Sequence, residues 1–333
     1  MHKDLLIAGQ PLELRDMVPA HRDDVLKLHH QIFSSGLQGD WFEWKYIRGQ
    51  GEGVGIWNER QELIAYCGGF PRRMLQQGQA TNFLQIGDLM VSPEWRGVFT
   101  RKNPFFYACE HMYTTRLGSD RPYKVGFGFA HARSTRLHVK QGLGRDGGAV
   151  PFLQWQVAQR QPLPGWLWRV EPLAADAPHL RATVDRAWQA MRRDTRDYTI
   201  GIRDADYLSW RFIQRPDKAY RLYTLRRIWD LQPLGVIVLS QPSHPGEAVQ
   251  WLDWVGPARH LAHACLAALR VAAEEGAPTM TTWASASVSE RLAGTAPEFL
   301  PHIANISIRA PADMPAQAPD LKLWLMAGDT DFL

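Results

Sequence analysis

Asp88 is the one acidic residue in residues 82–91, a stretch dense in apolar side chains that ends at Ser92 and Pro93. A carboxylate inside an apolar strand is either a general base or a structural acceptor for N–H groups of a neighbouring loop or helix. A charged loop follows, in which Arg96, Arg101 and Lys102 precede Asn103 and Pro104. Asparagine is a good N-cap and proline a good first helical residue, so this places cations at a helix start, where anions bind. The competing account is a solvated basic loop. His138, in a short helix ending at Gly142, is of the type that exchanges protons near neutrality. As a helix-end surface residue it would have no such role.

Other chemistries find no support in the spacing. His29 and His30, or His131 and His138, lack the cysteine or carboxylate companions of a metal cluster, and neither a P-loop nor a dinucleotide fingerprint is present, so no metal is expected. Cys67, Cys109 and Cys265 are too far apart for a zinc motif or a disulfide framework, which favours a reduced, cytoplasmic setting.

The elements that must position these groups read as mixed α/β. A strand at 12–17 leads into a helix to about Phe33 and a short helix over 41–47. Strands follow at 54–57 and from 62 onward, then at 82–91, before a helix from Asn103 and Pro104 to about Leu117. A strand at 123–129 contains Gly126 and Gly128, which mark a bulge or a splayed strand. Periodicity is lost across 151–165, rich in proline, and the boundary between two domains is placed there, as 1–155 and 156–333. Beyond it come a strand at 166–170, helices at 180–191 and 206–213, strands at 220–227, 234–239 and 249–255, a long helix at 258–275, a strand at 279–284, a helix at 287–292, and a final strand pair at 303–308 and 321–326.

The chain of 333 residues, 45% apolar and 22% charged, has the make-up of a globular protein of about two domains. A net charge of +4 does not point to nucleic acid, and no window is long and apolar enough for an integral membrane segment. Fourteen tryptophans suit amphipathic packing, an aromatic cleft or a subunit interface such as a homodimer's.

The two halves repeat. Phe42, Glu43, Trp44, Lys45, Tyr46 and Ile47 match Leu208, Ser209, Trp210, Arg211, Phe212 and Ile213 at an offset of 166, and Asp88 matches Asp253 at 165. Offsets this close argue for a tandem duplication.

Leu89, Met90, Val91, Ser92, Pro93, Glu94, Trp95, Arg96 and Gly97 resemble the acyl-coenzyme A binding segment of the Gcn5-related N-acetyltransferase superfamily: a strand ending in valine, then proline, glutamate, an aromatic, arginine and glycine. The resemblance covers most of residues 12–143 by element order and the second half more weakly. It implies two tandem folds of that superfamily, the second degenerate. It also implies that Leu89, Met90, Val91, Arg96, Gly97, Val98, Phe99, Arg101 and Lys102 hold acetyl-coenzyme A or another acyl-coenzyme A. The family's later loop glycines are replaced here by Phe99 and Arg101, which restrict the backbone geometry that gathers N–H groups on phosphate.

The same resemblance makes Asp88 the general base and puts His138 where the family often carries a tyrosine that protonates the leaving thiolate. Trp41, Glu43, Tyr46, Tyr66 and Arg72 become walls of the acceptor cleft, although a tryptophan repeated as Trp44 and Trp210 reads more simply as a core anchor. The activity that the resemblance implies is transfer of an acyl group, acetyl by the family's pattern, to a primary amine of a small metabolite, amino sugar or peptide. A catalytically silent acyl-coenzyme A sensor or partner-binding protein, and an aminoacyl or peptidoglycan-type transferase of related double-domain architecture, are the alternatives.

Overall fold

The computed structural model describes residues 2–34, 36–96, 102–159, 163–244, 246–302, 304–309 and 321–330. Along the chain run strands β1 His2–Ile7, β2 Gln10–Asp16, β3 Glu52–Asn58, β4 Leu63–Gln76, β5 Gln79–Val91, β6 Val125–Ala130, β7 Arg145–Ala149, β8 Phe152–Gln156, β9 Trp168–Pro172, β10 Thr199–Gly201, β11 Tyr220–Arg227, β12 Gly235–Ser240, β13 Val249–Val255, β14 Thr279–Trp283, β15 Glu298–Leu300, β16 Asn305–Arg309 and β17 Leu323–Trp324. The α-helices are α1 Arg22–Phe33, α2 Gly39–Phe42, α3 Pro104–Arg116, α4 Ala132–Lys140, α5 Leu180–Asp194, α6 Ala205–Leu208, α7 Leu261–Glu274 and α8 Ala286–Leu292.

Two compact units emerge, and neither is one continuous stretch. Unit 1 comprises Met1–Arg73, Thr81–Gly148 and Ala304–Asp320; unit 2 comprises Met74–Ala80, Ala149–Ile303 and Leu321–Leu333. A cut at 155/156 cannot describe this division, because β16 returns to the first unit. It pairs antiparallel with β6 from Asn305↔Ala130 to Arg309↔Gly126. The two C-terminal strands therefore do not form a pair with each other: β17 instead runs parallel to β10, with Thr199 opposite Leu323.

In unit 1 the strand order is β1-β2-β3-β4-β5-β6-β16-β7. The core gathers Leu12 and Leu14 of β2, Val54 and Ile56 of β3, Cys67 of β4, Leu84 and Ile86 of β5, and Phe106, Cys109 and Met112 of α3. Helix α3 begins where the sequence expects it. The Asn103 side chain accepts from the Phe106 N–H at 3.0 Å, and Pro104 supplies a first residue with no amide to satisfy. Strand β1 was not legible, since its alternation is masked by His2, Lys3 and Asp4 at the exposed start.

Unit 2 orders its sheet β15-β8-β14-β13-β12-β11-β9. Strand β8 lies in the proline-rich stretch read as a boundary; it is only five residues long, but Leu153 and Trp155 alternate inward. Apart from β10, which intervenes between α5 and α6, each unit places in turn a strand, a long helix, a short helix, a three-strand antiparallel run, a helix, a parallel strand and a further helix. The short helices match in detail. Each ends in a π-helical turn, Glu43–Arg48 and Ser209–Ile213, with i→i+5 bonds from Gly49 N–H to Trp44 O and from Gln214 N–H to Ser209 O, both 2.9 Å. Two distinct mixed sheets with the same element order are a tandem architecture.

Candidate functional site

The site of unit 1 begins where two parallel strands part. Strands β5 and β6 pair from Phe83↔Val125 to Ile86↔Gly128, and the pairing stops there although both strands continue. Gly128 sits at the vertex, where a Cβ would lie 2.7 Å from the Ile86 carbonyl oxygen, so only glycine lets the strands approach before they diverge. The Ser92 N–H bonds Ile64 O of β4 at 2.8 Å. By the alternation of a strand, the N–H groups of Val91 and Leu89 then point the other way, into the gap. These are preorganised donors of the kind that stabilise a developing oxyanion.

Asp88 stands at the start of the diverging stretch with φ +46, a conformation uncommon for a residue with a side chain. Its side chain is 7% exposed. One carboxylate oxygen accepts from Lys45 Nζ at 2.8 Å and the other from the Tyr46 hydroxyl at 2.6 Å, while His29 Nε2 lies 4.0 Å away. The π-helical turn delivers two consecutive residues to the two oxygens of one carboxylate. Aromatic rings enclose the cation: the Lys45 ammonium lies 4.7 Å from the centroid of Trp41 and 4.3 Å from that of Phe70. His29 is wedged between Phe33 and Trp41.

Space for the phenols is made by glycines. A Cβ on Gly68 would fall 2.7 Å from the Tyr46 hydroxyl, and one on Gly53 would collide with that of Tyr66. Burial, then the neighbouring Asp88 charge, pushes the Tyr46 phenol well above its ordinary range, so it acts here as a donor that keeps its proton. Tyr66 is raised too, by burial first.

The expected residues are thus partly assembled. Asp88, Trp41, Tyr46 and Tyr66 converge, whereas Glu43 is exposed and Arg72 is buried with its guanidinium on Gln85 Oε1 at 2.7 Å. Leu89, Met90 and Val91 line the diverging strand. Arg96 folds back to donate from Nε to the Val91 carbonyl at 3.1 Å, and Lys102 lies over the ring of Phe106 at 5.0 Å, beside the start of α3. Gly97, Val98, Phe99 and Arg101 lie outside the described residues. Lys45, His29 and Phe70 were missed; the repeat of Lys45 as Arg211 was the available signal.

His138 occupies different ground. It is 2% exposed, bonds the Ser134 carbonyl through Nδ1 at 3.1 Å, and packs edge-on against Phe105. Its other nitrogen is buried, with Cys109 as neighbour. Burial pushes the Cys109 thiol up, but the Cys67 and His138 contacts outweigh it and bring it down to about 6. Elsewhere, His2, Asp4 and Glu13 bring ligand atoms within 4.8 Å of one another at the edge of the sheet, with His2 and Asp4 exposed.

The equivalent place in unit 2 is filled. Strands β13 and β14 are parallel only at Val249↔Met280 and Gln250↔Thr281. The C-terminal segment enters beyond that point: Ser285 N–H bonds Leu325 O at 2.9 Å, Ala284 bridges Met326, and a Cβ on Gly328 would come 2.9 Å from Leu252 O. Asp253, the counterpart of Asp88, is fully buried and held by Arg203 Nε at 3.0 and 2.9 Å, and Arg203 also reaches Asp329 at 2.5 Å. Phe212 replaces Tyr46, and Arg211 turns to the carbonyls of Gly328 and Thr330.

Comparison with known proteins bears on the fold. No family model matches the chain, and no curated protein matches its sequence. Solved structures do. A probable N-acyltransferase of Enterococcus faecalis V583 superposes with a TM-score of 0.67 at 10% identity, over 90% of this chain and 72% of that one. A GCN5-related N-acetyltransferase of Kribbella flavida gives 0.59 at 18%, over 90% and 71%. The N-myristoyltransferase of Saccharomyces cerevisiae, solved with myristoyl-CoA, gives 0.56 at 11%, over 92% and 84%. The chain has the fold of the Gcn5-related N-acetyltransferases, in a duplicated two-sheet form.

Proposed function

We propose that unit 1 is an acyl-coenzyme A dependent N-acyltransferase that acylates a primary amine of a small metabolite, amino sugar or peptide. The observation that carries this reading is the parting of β5 from β6 after Ile86↔Gly128, with Asp88 at the start of the opening. A donor bound there would supply an activated thioester. The chain's own groups fit it: inward N–H groups of Leu89 and Val91 for the carbonyl, and Arg96, Lys102 and the capped start of α3 for phosphates.

Asp88 takes the proton that the attacking ammonium must lose, directly or through a water, while Lys45 and Tyr46 fix the orientation of its carboxylate. The proton for the departing thiolate is assigned to solvent, because His138 faces the buried Cys109. Unit 2 contributes no donor site, its own gap being filled by residues 323–330.

A silent acyl-coenzyme A binder is the second reading, favoured by the fact that both Asp88 oxygens already accept a hydrogen bond. Release of free thiol from acetyl-coenzyme A, followed against a panel of primary amines, separates the two. Amine-dependent release supports the enzyme; saturable binding without release across the panel supports the sensor; neither binding nor release rejects both.

A further inference from the structure

Four large apolar side chains of unit 2 stand out in solvent: Trp166 is 76% exposed, Trp229 60%, Leu231 95% and Ile228 44%. They share one end of the sheet. Strand β9 begins and β11 ends there, with Arg227 opposite Trp168 in antiparallel register. Just beyond, the Ile228 N–H bonds Leu167 O at 3.0 Å, joining the turn that carries Trp166 to the hairpin turn that carries Trp229 and Leu231.

The hairpin turn is built to hold these side chains outward. Asp230 grips the Arg227 guanidinium through both oxygens at 2.9 and 3.0 Å, and that guanidinium lies 5.5 Å from the Trp229 ring centroid. The strands below close with Leu234 N–H on Leu225 O at 2.7 Å. Behind the tip lies a collar of guanidiniums. Arg169 is exposed and opposite Arg226, Arg186 bonds Gln232 of the same turn, and Arg270 lies beside Gly165. With Arg227 that makes five guanidiniums, against the carboxylates of Glu171, Asp230 and Glu274 that pair with three of them.

Apolar patches of this kind mark a surface that meets something. Two tryptophans and a leucine on adjoining turns offer on the order of 500 Å², below the ~800 Å² per partner of a standard protein interface. A second copy would also bring two cationic collars face to face. Tryptophan at the headgroup level with arginine behind it is instead the arrangement a bilayer surface favours. We propose that the Trp166–Trp229–Leu231 tip of unit 2 inserts into the headgroup–acyl boundary of an anionic membrane, with the collar meeting lipid phosphates.

The 333-residue chain is tested by co-sedimentation with phosphatidylcholine vesicles, either pure or containing roughly one-third phosphatidylglycerol. Binding to the mixed vesicles, weaker binding to the neutral ones, and a blue shift of tryptophan emission are expected. The paired change Trp229→Ser and Leu231→Ser should lower partitioning at least about tenfold with little change in melting temperature, since Leu231 is almost wholly exposed and the contact given up by Trp229 is with the surface guanidinium of Arg227. Arg169→Glu should weaken binding only to the anionic vesicles. Failure to sediment with either vesicle, equal sedimentation of the variants, or self-association in the ultracentrifuge that the same substitutions abolish would each overturn the proposal.

Discussion

The hydroxyl of Tyr46 donates to Asp88 at 2.6 Å, and the duplicated position offers no such bond, because Phe212 stands where Tyr46 does and Asp253 is taken by Arg203. The two matching positions thus hold one carboxylate beside parting strands and another locked into a filled core. Tyr46→Phe copies the second state into the first. Loss of a hydrogen bond to a charged group costs about 1.5–3 kcal/mol, and turnover should fall with little change in acyl-coenzyme A affinity, read from kcat and from direct titration.

Asp88→Asn keeps shape but removes the base. General-base catalysis contributes about 10²–10⁴-fold, so kcat should drop by that order while donor binding holds. Asp88→Ala should go further and destabilise the fold by about 3–5 kcal/mol, since it takes away the carboxylate that the buried Lys45 ammonium bonds at 2.8 Å. Denaturant unfolding checks this, and an unchanged midpoint would contradict the role of the pair.

The filling of unit 2 is testable at Gly328. A Cβ there would stand 2.8 Å from Phe212 and 2.9 Å from Leu252 O, so Gly328→Val should cost about 1–3 kcal/mol of stability by overpacking. Because this segment belongs to the unit assigned no donor, coenzyme A affinity should stay the same.

Acid should weaken unit 2 through its histidines. Burial lowers both His260 and His263, and the ring of His263 lies 4.6 Å from Trp168. Folded-state values below the ordinary one mean that the unfolded chain takes up protons first as pH falls through about 6.5, so stability present above that value is lost below it. His263→Phe retains the ring on Trp168 and should flatten the dependence of unfolding free energy on pH between roughly 7.5 and 5.5. A slope identical to wild type would remove His263 from the account.

Much of this was readable in the residues. The match of Trp44 to Trp210, and of Asp88 to Asp253, announced two copies of one architecture, although only Trp44 proves a buried core anchor and Trp210 is half-buried. Asn103 and Pro104 announced α3 by local capping chemistry. The π-helical turns were not legible: nothing in the run from Glu43 to Arg48 distinguishes i→i+5 from i→i+4 bonding, so the joint arrival of Lys45 and Tyr46 at Asp88 went unseen. The course of the C-terminal strands was hidden for another reason. Strands 305–309 and 323–324 find partners far away in sequence, and alternation alone says that a strand exists without saying beside what.

The central claim is that one gap per chain is open to a donor and that its duplicate is closed by the chain itself. Calorimetric titration of the 333-residue chain with coenzyme A measures this directly. The account predicts saturable binding of one molecule per chain; two molecules per chain, or none at high protein concentration, would contradict it.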